Sequence, residues 1–316
     1  MRVLVTGGAG FIGCNLVRYF LERNYEVSVL DDFSTGSLEN LDDMKDKIKL
    51  FRGSIGDKEV VRRALYDVDV VLHNAAFLGV VNVVKNPWKV FQVNAHDNHI
   101  FFEQVLNSST KKLIFASSSE VYGEPLEISE AKKTGEMDYI DYRVTAYGIA
   151  KKLAENACKV MYENYGIDTC SFRYFNAYGP HQTSSASYGF VGGIFLRNAL
   201  ENKPLVVYGD GHQTRAFTYI NDVCDANLLA VNTKTKGDYF NIGTERETKI
   251  LELVNLVKKI TGKNLSVIHE SARSYDSRRR CGDSSKARDV LGWEPKVDLE
   301  EGLTKTWEWM QNNSKV

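Results

Sequence analysis

Residues 5–13 read VTGGAGFIG, four glycines in nine positions directly behind the β-branched run RVLVT at 2–6. Glycine weakens helices and frees the backbone for conformations that a side chain forbids. A cluster this dense, between a strand and a helical pattern over 11–23, requires a sharp turn with exposed backbone. Two registers fit: Gly8, Gly10 and Gly13 match G-x-G-x-x-G, and Gly7, Gly10 and Gly13 match G-x-x-G-x-x-G. The next strand, EVSVLD at 26–31, ends on an acidic residue, Asp31. Strand, glycine turn, helix and a second strand ending on a carboxylate form the context of a dinucleotide site.

Each part of this context has a physical task. Gly10 lets backbone amides approach a pyrophosphate. The first helical turn, Phe11, Ile12 and Gly13, supplies partial positive charge. Asp31 accepts hydrogen bonds from the adenosine ribose, with Asp32 and Ser34 beside it in DDFSTG. A carboxylate there repels a 2′-phosphate and no arginine follows, so NAD is expected rather than NADP.

The βα alternation continues. KIKLFRG (47–53), DVVLHNAA (69–76), KKLIFASSS (111–119) and DTCSFRYFN (168–176) read as strands. Helical patterns start near Lys58 and cover about 88–107 and 142–165 between them. This predicts an α/β fold: a doubly wound parallel sheet of Rossmann type with helices on both faces. After Asn176 the elements shorten, and only FTYINDVCDANLLAV (217–231) looks like another strand–helix pair. The expected division is a dinucleotide-binding domain over 1–176, with 213–240 returning to it, and a smaller interleaved substrate lobe from 177–212 and 241–316.

Composition narrows the partners. With 40 basic and 41 acidic residues, the chain carries no surplus charge for nucleic acid or an anionic membrane. Neither a bilayer-spanning run nor a signal peptide is read from the sequence. Five scattered cysteines without a CxxC indicate neither a metal site nor a disulfide framework, and a cytoplasmic location is expected.

Two further motifs carry chemistry. SSSEVYG (117–123) lies at the end of the fifth strand, where open α/β sheets bind ligands. YGIAK puts Tyr147 and Lys151 one turn apart on a helix. A neighbouring lysine is expected to lower the tyrosine pKa and make Tyr147 an acid–base group near neutral pH.

Together, TGGAGFIG, Asp31, Asp57 in GSIGD, HNAA, SSSEVYG, Tyr147-x-x-x-Lys151, RYFNAYGP (173–180), VVYGDGHQTRAFTYINDV (206–223) and DSSKARDVLGWEP (283–295) resemble the extended short-chain dehydrogenases/reductases. The resemblance is to the branch of nucleotide-sugar epimerases, dehydratases and decarboxylases. It implies cofactor contacts at Ile55, Asp57, Ala75, Ala76 and Asn94. It implies a catalytic Ser118 on the sugar 4-hydroxyl, with Glu120 nearby. Substrate contacts follow at Ser119, Asn176, Val207 and Tyr208, and Arg215 and Arg280 are expected to hold the nucleotide phosphates. His73 is read as structural. A homodimer, formed by the Tyr147 helix and its neighbour at 88–107, is also implied.

The implied chemistry is transient oxidation at C4 by NAD. Return of the hydride on the other face gives a 4-epimer. Loss of water or of a C5 carboxylate gives a dehydratase or a decarboxylase. Glutamate at 120 resembles the latter two, whereas YGPHQ (178–182) is more like an epimerase. The expected activity is 4-epimerisation of a nucleotide sugar, a UDP-sugar by preference. The decarboxylase and dehydratase are the alternatives, and a non-catalytic NAD-binding regulator is a distant one.

Overall fold

The computed structural model describes residues 1–79, 85–123, 145–182, 190–272 and 278–313. Its centre is a seven-stranded sheet. Six strands are β1 (Arg2–Thr6), β2 (Glu26–Asp31), β3 (Lys49–Arg52), β4 (Val70–His73), β5 (Lys112–Ser118) and β6 (Asp168–Tyr174). The seventh, Asp238–Ile242, pairs with β6 at one edge, and the order from there is β6-β5-β4-β1-β2-β3. Every pairing is parallel.

Helices cover both faces, so the central strands are buried on both sides and read as continuous apolar runs. Alternation within them still sorts the side chains. Val3, Val5, Val29, Leu72 and Ile114 enter one apolar cluster. Leu4, Leu30, Val71, Leu113 and Phe115 enter the other. The chain winds outward from β1 to β3, then crosses to β4 and proceeds the other way. The crevice between the carboxyl ends of β1 and β4 is the topological switch point, where such sheets bind ligands.

Two elements depart from the sequence reading. The single helix expected over 88–107 runs as Pro87–Phe91, a π-helical turn Gln92–Asp97, and Asn98–Leu106. The wide turn buries Asn94, whose side chain clamps the Phe77 backbone: Nδ2 donates to the carbonyl at 2.7 Å and Oδ1 accepts from the amide at 2.9 Å. FTYI is not a strand of the main sheet. Only Thr218–Tyr219 is extended, paired with Ala177–Tyr178 beyond the end of β6, before the helix Ile220–Asn232. Thr218 is held there because its hydroxyl donates to Phe175 O at 2.9 Å.

The shorter elements pair among themselves. Leu205–Tyr208 runs parallel to Val267–Glu270. Thr214–Ala216 lies between Glu247–Lys249 and Arg279–Arg280. Among the described residues, no helix is long and apolar enough to cross a membrane.

Candidate active site

The glycine turn is built as a close backbone contact. Gly7 has φ +65°, and a Cβ there would lie 2.8 Å from Ala75 N. At Gly13 a Cβ would fall 2.0 Å from Gly7 O. These two glycines are demanded by the fold itself. Gly10 differs: a Cβ would meet only Gly7 O, at 3.2 Å. Gly10 is the N-cap of helix α1 (Phe11–Leu21) and has no side chain to cap it. The first-turn amides of Phe11, Ile12 and Gly13 therefore face an open side with the partial positive charge of a helix end.

Asp31 is almost enclosed. One carboxylate oxygen accepts from Ala9 N and the other from Phe33 N, both at 2.8 Å. Burial pushes its pKa up, and these two amides oppose the rise. The carboxylate thus fastens the glycine loop, and each oxygen keeps a lone pair for a hydroxyl donor. Asp32 is exposed and accepts from Ser34 N at 2.9 Å. Asp57 caps the helix Lys58–Ala64, accepting from Glu59 N and Val60 N. Ile55 is buried, while Ala75 and Ala76 are half-buried beside Gly7 on the loop after β4. At the end of β1, Thr6 Oγ1 accepts from Asn74 N and Ala75 N of that loop, and His73, fully buried at the end of β4, bonds Thr6 and Asn98. Asn74 Oδ1 is a buried acceptor with no partner, a place suited to a donor from outside. The cradle fits a dinucleotide.

Ser118 ends β5, and Tyr147 enters the helix Ala146–Tyr165 from a Thr145 cap that accepts from Gly148 N at 3.1 Å. The Ser118 hydroxyl accepts from Glu120 N at 3.2 Å and hydrogen-bonds the Tyr147 side chain. One turn on, Lys151 is buried. Its Nζ donates to Ala116 O at 2.6 Å and lies 5.5 Å from the Tyr147 ring centre. Burial brings Lys151 down to about 7, against the pull of Cys158 and Glu155.

The direction at Tyr147 differs from the sequence expectation. Its phenol is raised, not lowered, first by withdrawal from water and then by the Glu120 charge, and the Ser118 bond opposes this. Burial outweighs a lysine whose own charge is destabilised and whose ammonium is tied to a backbone carbonyl.

Two of the residues expected on the substrate side meet in one ion pair. Arg280 Nη1 donates to Glu120 Oε1 at 2.7 Å, across 160 positions of sequence. Arg215 stands in register beside Arg280 on the neighbouring strand. Two cations in register repel unless an anion sits between them. The other two arginines of the basic run are bound elsewhere, Arg278 to Asp210 and Arg279 to Glu247. Asn176, at φ +39°, donates to Ala216 O at 2.9 Å. Ser119 and Val207 are buried and Tyr208 is half-buried. A separate cavity of about 240 Å³, lined by Phe217, Thr244, Arg246, Lys296 and Asp298 among others, holds none of the expected site residues. Among the described residues, no cluster of three metal-binding side chains occurs.

The sequence reading did not single out Ser117, Tyr122, Glu155 and Arg173, which form a buried polar network behind Ser118 and Lys151. The one available signal was Glu155, four residues after Lys151 on the same helix.

With this geometry in view, the comparisons with known proteins agree. The family model described as GDP-mannose 4,6 dehydratase matches residues 4–306. A putative UDP-glucose 4-epimerase of Methanocaldococcus jannaschii is 36% identical, covering 99% of this chain and 100% of its own. A UDP-N-acetyl-alpha-D-glucosaminuronate decarboxylase of Bacillus cytotoxicus is 32% identical, covering 98% of each. The crystal structure of UDP-glucose 4-epimerase from Thermotoga maritima with UDP-glucose superposes with a TM-score of 0.93 at 36% identity, over the whole of both chains. The chain belongs to the GDP-mannose 4,6-dehydratase family and, with it, to the nucleotide-sugar branch of the extended short-chain dehydrogenases/reductases.

Proposed function

We propose that the protein is an NAD-dependent 4-epimerase of a nucleotide sugar, with a UDP-sugar as substrate. Bound NAD supplies a hydride acceptor and donor and a positive charge. Tyr147, hydrogen-bonded to Ser118, takes the proton of the sugar 4-hydroxyl and later returns it. Ser118 orients that hydroxyl. Lys151, fixed on Ala116 O, favours the phenolate electrostatically. Arg215 and Arg280, side by side in register, receive the diphosphate.

The observation that carries the choice of epimerisation is the engagement of Glu120. Its Oε1 accepts from Arg280 Nη1 at 2.7 Å, and with the rest of that guanidinium turned to the diphosphate the carboxylate serves to orient Arg280 rather than to act as a base at C5. Likeness over full length to an epimerase supports the same reading. Decarboxylation of a uronate is the second reading. It is favoured by the proximity of that carboxylate to Tyr147, whose phenol it pushes up, and by the decarboxylase relative.

One incubation separates the readings. UDP-glucose, UDP-galactose and their N-acetyl and uronic forms, with dTDP-glucose, are offered together with the enzyme and read by NMR. A 4-epimer is expected; a pentose or a 4-keto-6-deoxy sugar assigns the reaction to a lyase. In the epimerase, Glu120→Gln is expected to keep activity within about tenfold of wild type, roughly 1.4 kcal/mol of barrier. A loss on the order of 10²-fold or more is the signature of chemistry at C5.

We further propose a homodimer. Ile149, Leu153 and Val160 recur at spacings of four and seven on the Tyr147 helix and are about half exposed. Trp88, 78% exposed, stands with Phe91 on the helix Pro87–Phe91. Pairing these faces removes a continuous apolar stripe from water. Light scattering at micromolar protein is expected to give twice the chain mass; a monomer mass removes the proposal.

A further inference from the structure

The structure assigns Glu155 and Arg173 to a positioning role. They form a buried, charge-balanced pair that holds the Ser118 turn, the Tyr147 helix and the Arg280 segment together and fixes the pH range in which Tyr147 and Lys151 work. This rests on the reading of Tyr147 and Lys151 as the acid–base pair.

Both side chains are about 1% exposed. Arg173 grips Glu155 with two parallel bonds: Nε donates to Oε1 at 2.8 Å and Nη2 to Oε2 at 2.7 Å. Ser117 Oγ donates to Oε1 at 2.6 Å, and Lys152 Nζ donates to Oε2 at 3.1 Å. From the other side, Arg173 Nη1 donates to the Tyr122 hydroxyl at 2.7 Å. That hydroxyl donates to Asn241 Oδ1 at 2.8 Å, and Asn241 Nδ2 donates to Asp283 O at 2.9 Å.

Four of its members are a short step along the chain from a proposed functional residue. Ser117 precedes Ser118, Tyr122 follows Glu120 by two, Glu155 follows Lys151 by four, and Asp283 follows Arg280 by three. The network therefore joins β5, the helix Ala146–Tyr165, β6 and the strand Asp238–Ile242 to the segment carrying Arg280. A buried ion pair is a poor source of stability, because desolvation consumes most of its attraction. A fully satisfied network does fix geometry, and a site of this kind needs supporting groups locked in place.

The charge balance matters as much as the geometry. Lys151 is faced by Tyr147, Glu155 and Cys158 on its own helix, by His73 on β4, and by Phe115 and Ala116 O on β5. Glu155 favours the charged ammonium. Arg173 and Lys152 both hold the Glu155 carboxylate and share its negative charge.

The test is the pH profile of turnover in NAD-loaded single and double variants. Glu155→Gln deletes an anion and strands a cation, so the whole profile is expected to move to lower pH by about one unit or more. Arg173→Met leaves Glu155 with Lys152, at 3.1 Å, as its counter-charge, and the profile is expected to move the other way. In Glu155→Gln/Arg173→Met the charges cancel and the profile returns to its wild-type position, at a reduced rate. A purely structural role lowers the rate at every pH without displacing the profile. Profiles that stay in place in the single variants, or move in the same direction, overturn the proposal. Should Glu155→Gln fail to fold, Arg173→Met and the neutral double variant decide by the same criterion. Failure of the underlying reading looks different: Tyr147→Phe then turns over normally.

Discussion

Tyr147→Phe is expected to lower turnover by about 10²–10⁴-fold, the usual span for loss of a positioned acid–base group. The fold and NAD binding should remain close to wild type. The substitution removes one oxygen and keeps the ring, its volume and its place at the start of the helix Ala146–Tyr165. The partner left behind, Ser118, loses an acceptor for its O–H, but it is half-buried and still accepts from Glu120 N at 3.2 Å. The stability change should be about 1 kcal/mol, the scale of a single hydrogen bond. Single-turnover kinetics, with NAD content measured on the same sample, check it. The environment sharpens the prediction. Burial and Glu120 push the phenol pKa up, the Ser118 bond opposes them, and the positive charge of bound NAD would act in the same direction as Ser118. Turnover at wild-type rates in Tyr147→Phe would eliminate the mechanism.

The parts of this site that were legible in the sequence are those encoded locally. The glycine spacing, Asp31 one strand later, and the four-residue step from Tyr147 to Lys151 each lie within one βα unit or one helical turn. Few roles suit those residue types at those spacings. The parallel sheet was legible for the same reason, since strands such as VVLH and LIFA alternate with helical patterns. What escaped was set by pairing across the chain. That Arg215 and Arg280 lie in register follows from three short strands whose partners are tens of residues apart. The Glu120–Arg280 bond joins the turn after β5 to the C-terminal part of the chain. Residue types mark both ends as interesting and say nothing of their meeting. Burial was the other hidden quantity. It reversed the expected direction at Tyr147, and it turned RYFN from a strand ending into one side of a buried ion pair. The edge strand was misassigned because FTYI and DYFNI are equally β-like, and only the contacts beyond β6 decide which one joins the sheet.

Gly13→Ala is the case where local propensity and packing disagree most. Alanine is the better helix former by about 1 kcal/mol, and Gly13 lies in the first turn of α1, so propensity alone predicts a stabilised protein. The packing predicts the reverse. The new methyl would stand 2.0 Å from Gly7 O and 2.7 Å from Gly8 Cα. Both are backbone atoms of the turn, so no side chain can swing away. The helix must move off β1, and the turn between them must open. Forced overpacking of this kind costs about 1–3 kcal/mol, enough to outweigh the propensity gain. The same shift displaces the first-turn amides from the cofactor phosphates. NAD affinity is expected to fall by about 100-fold or more, roughly 2.8 kcal/mol. Calorimetry measures the affinity, and thermal melts with and without NAD should show a lower melting temperature and a smaller rise on adding cofactor. Gly10→Ala is the control. Its backbone, at φ −80°, suits any residue, and its Cβ meets only Gly7 O at 3.2 Å. That variant should melt near wild type and still bind NAD more weakly, because the methyl occupies the side from which the pyrophosphate approaches. If Gly13→Ala instead melted higher and bound NAD normally, the close contact between the glycine turn and α1 would be disproved.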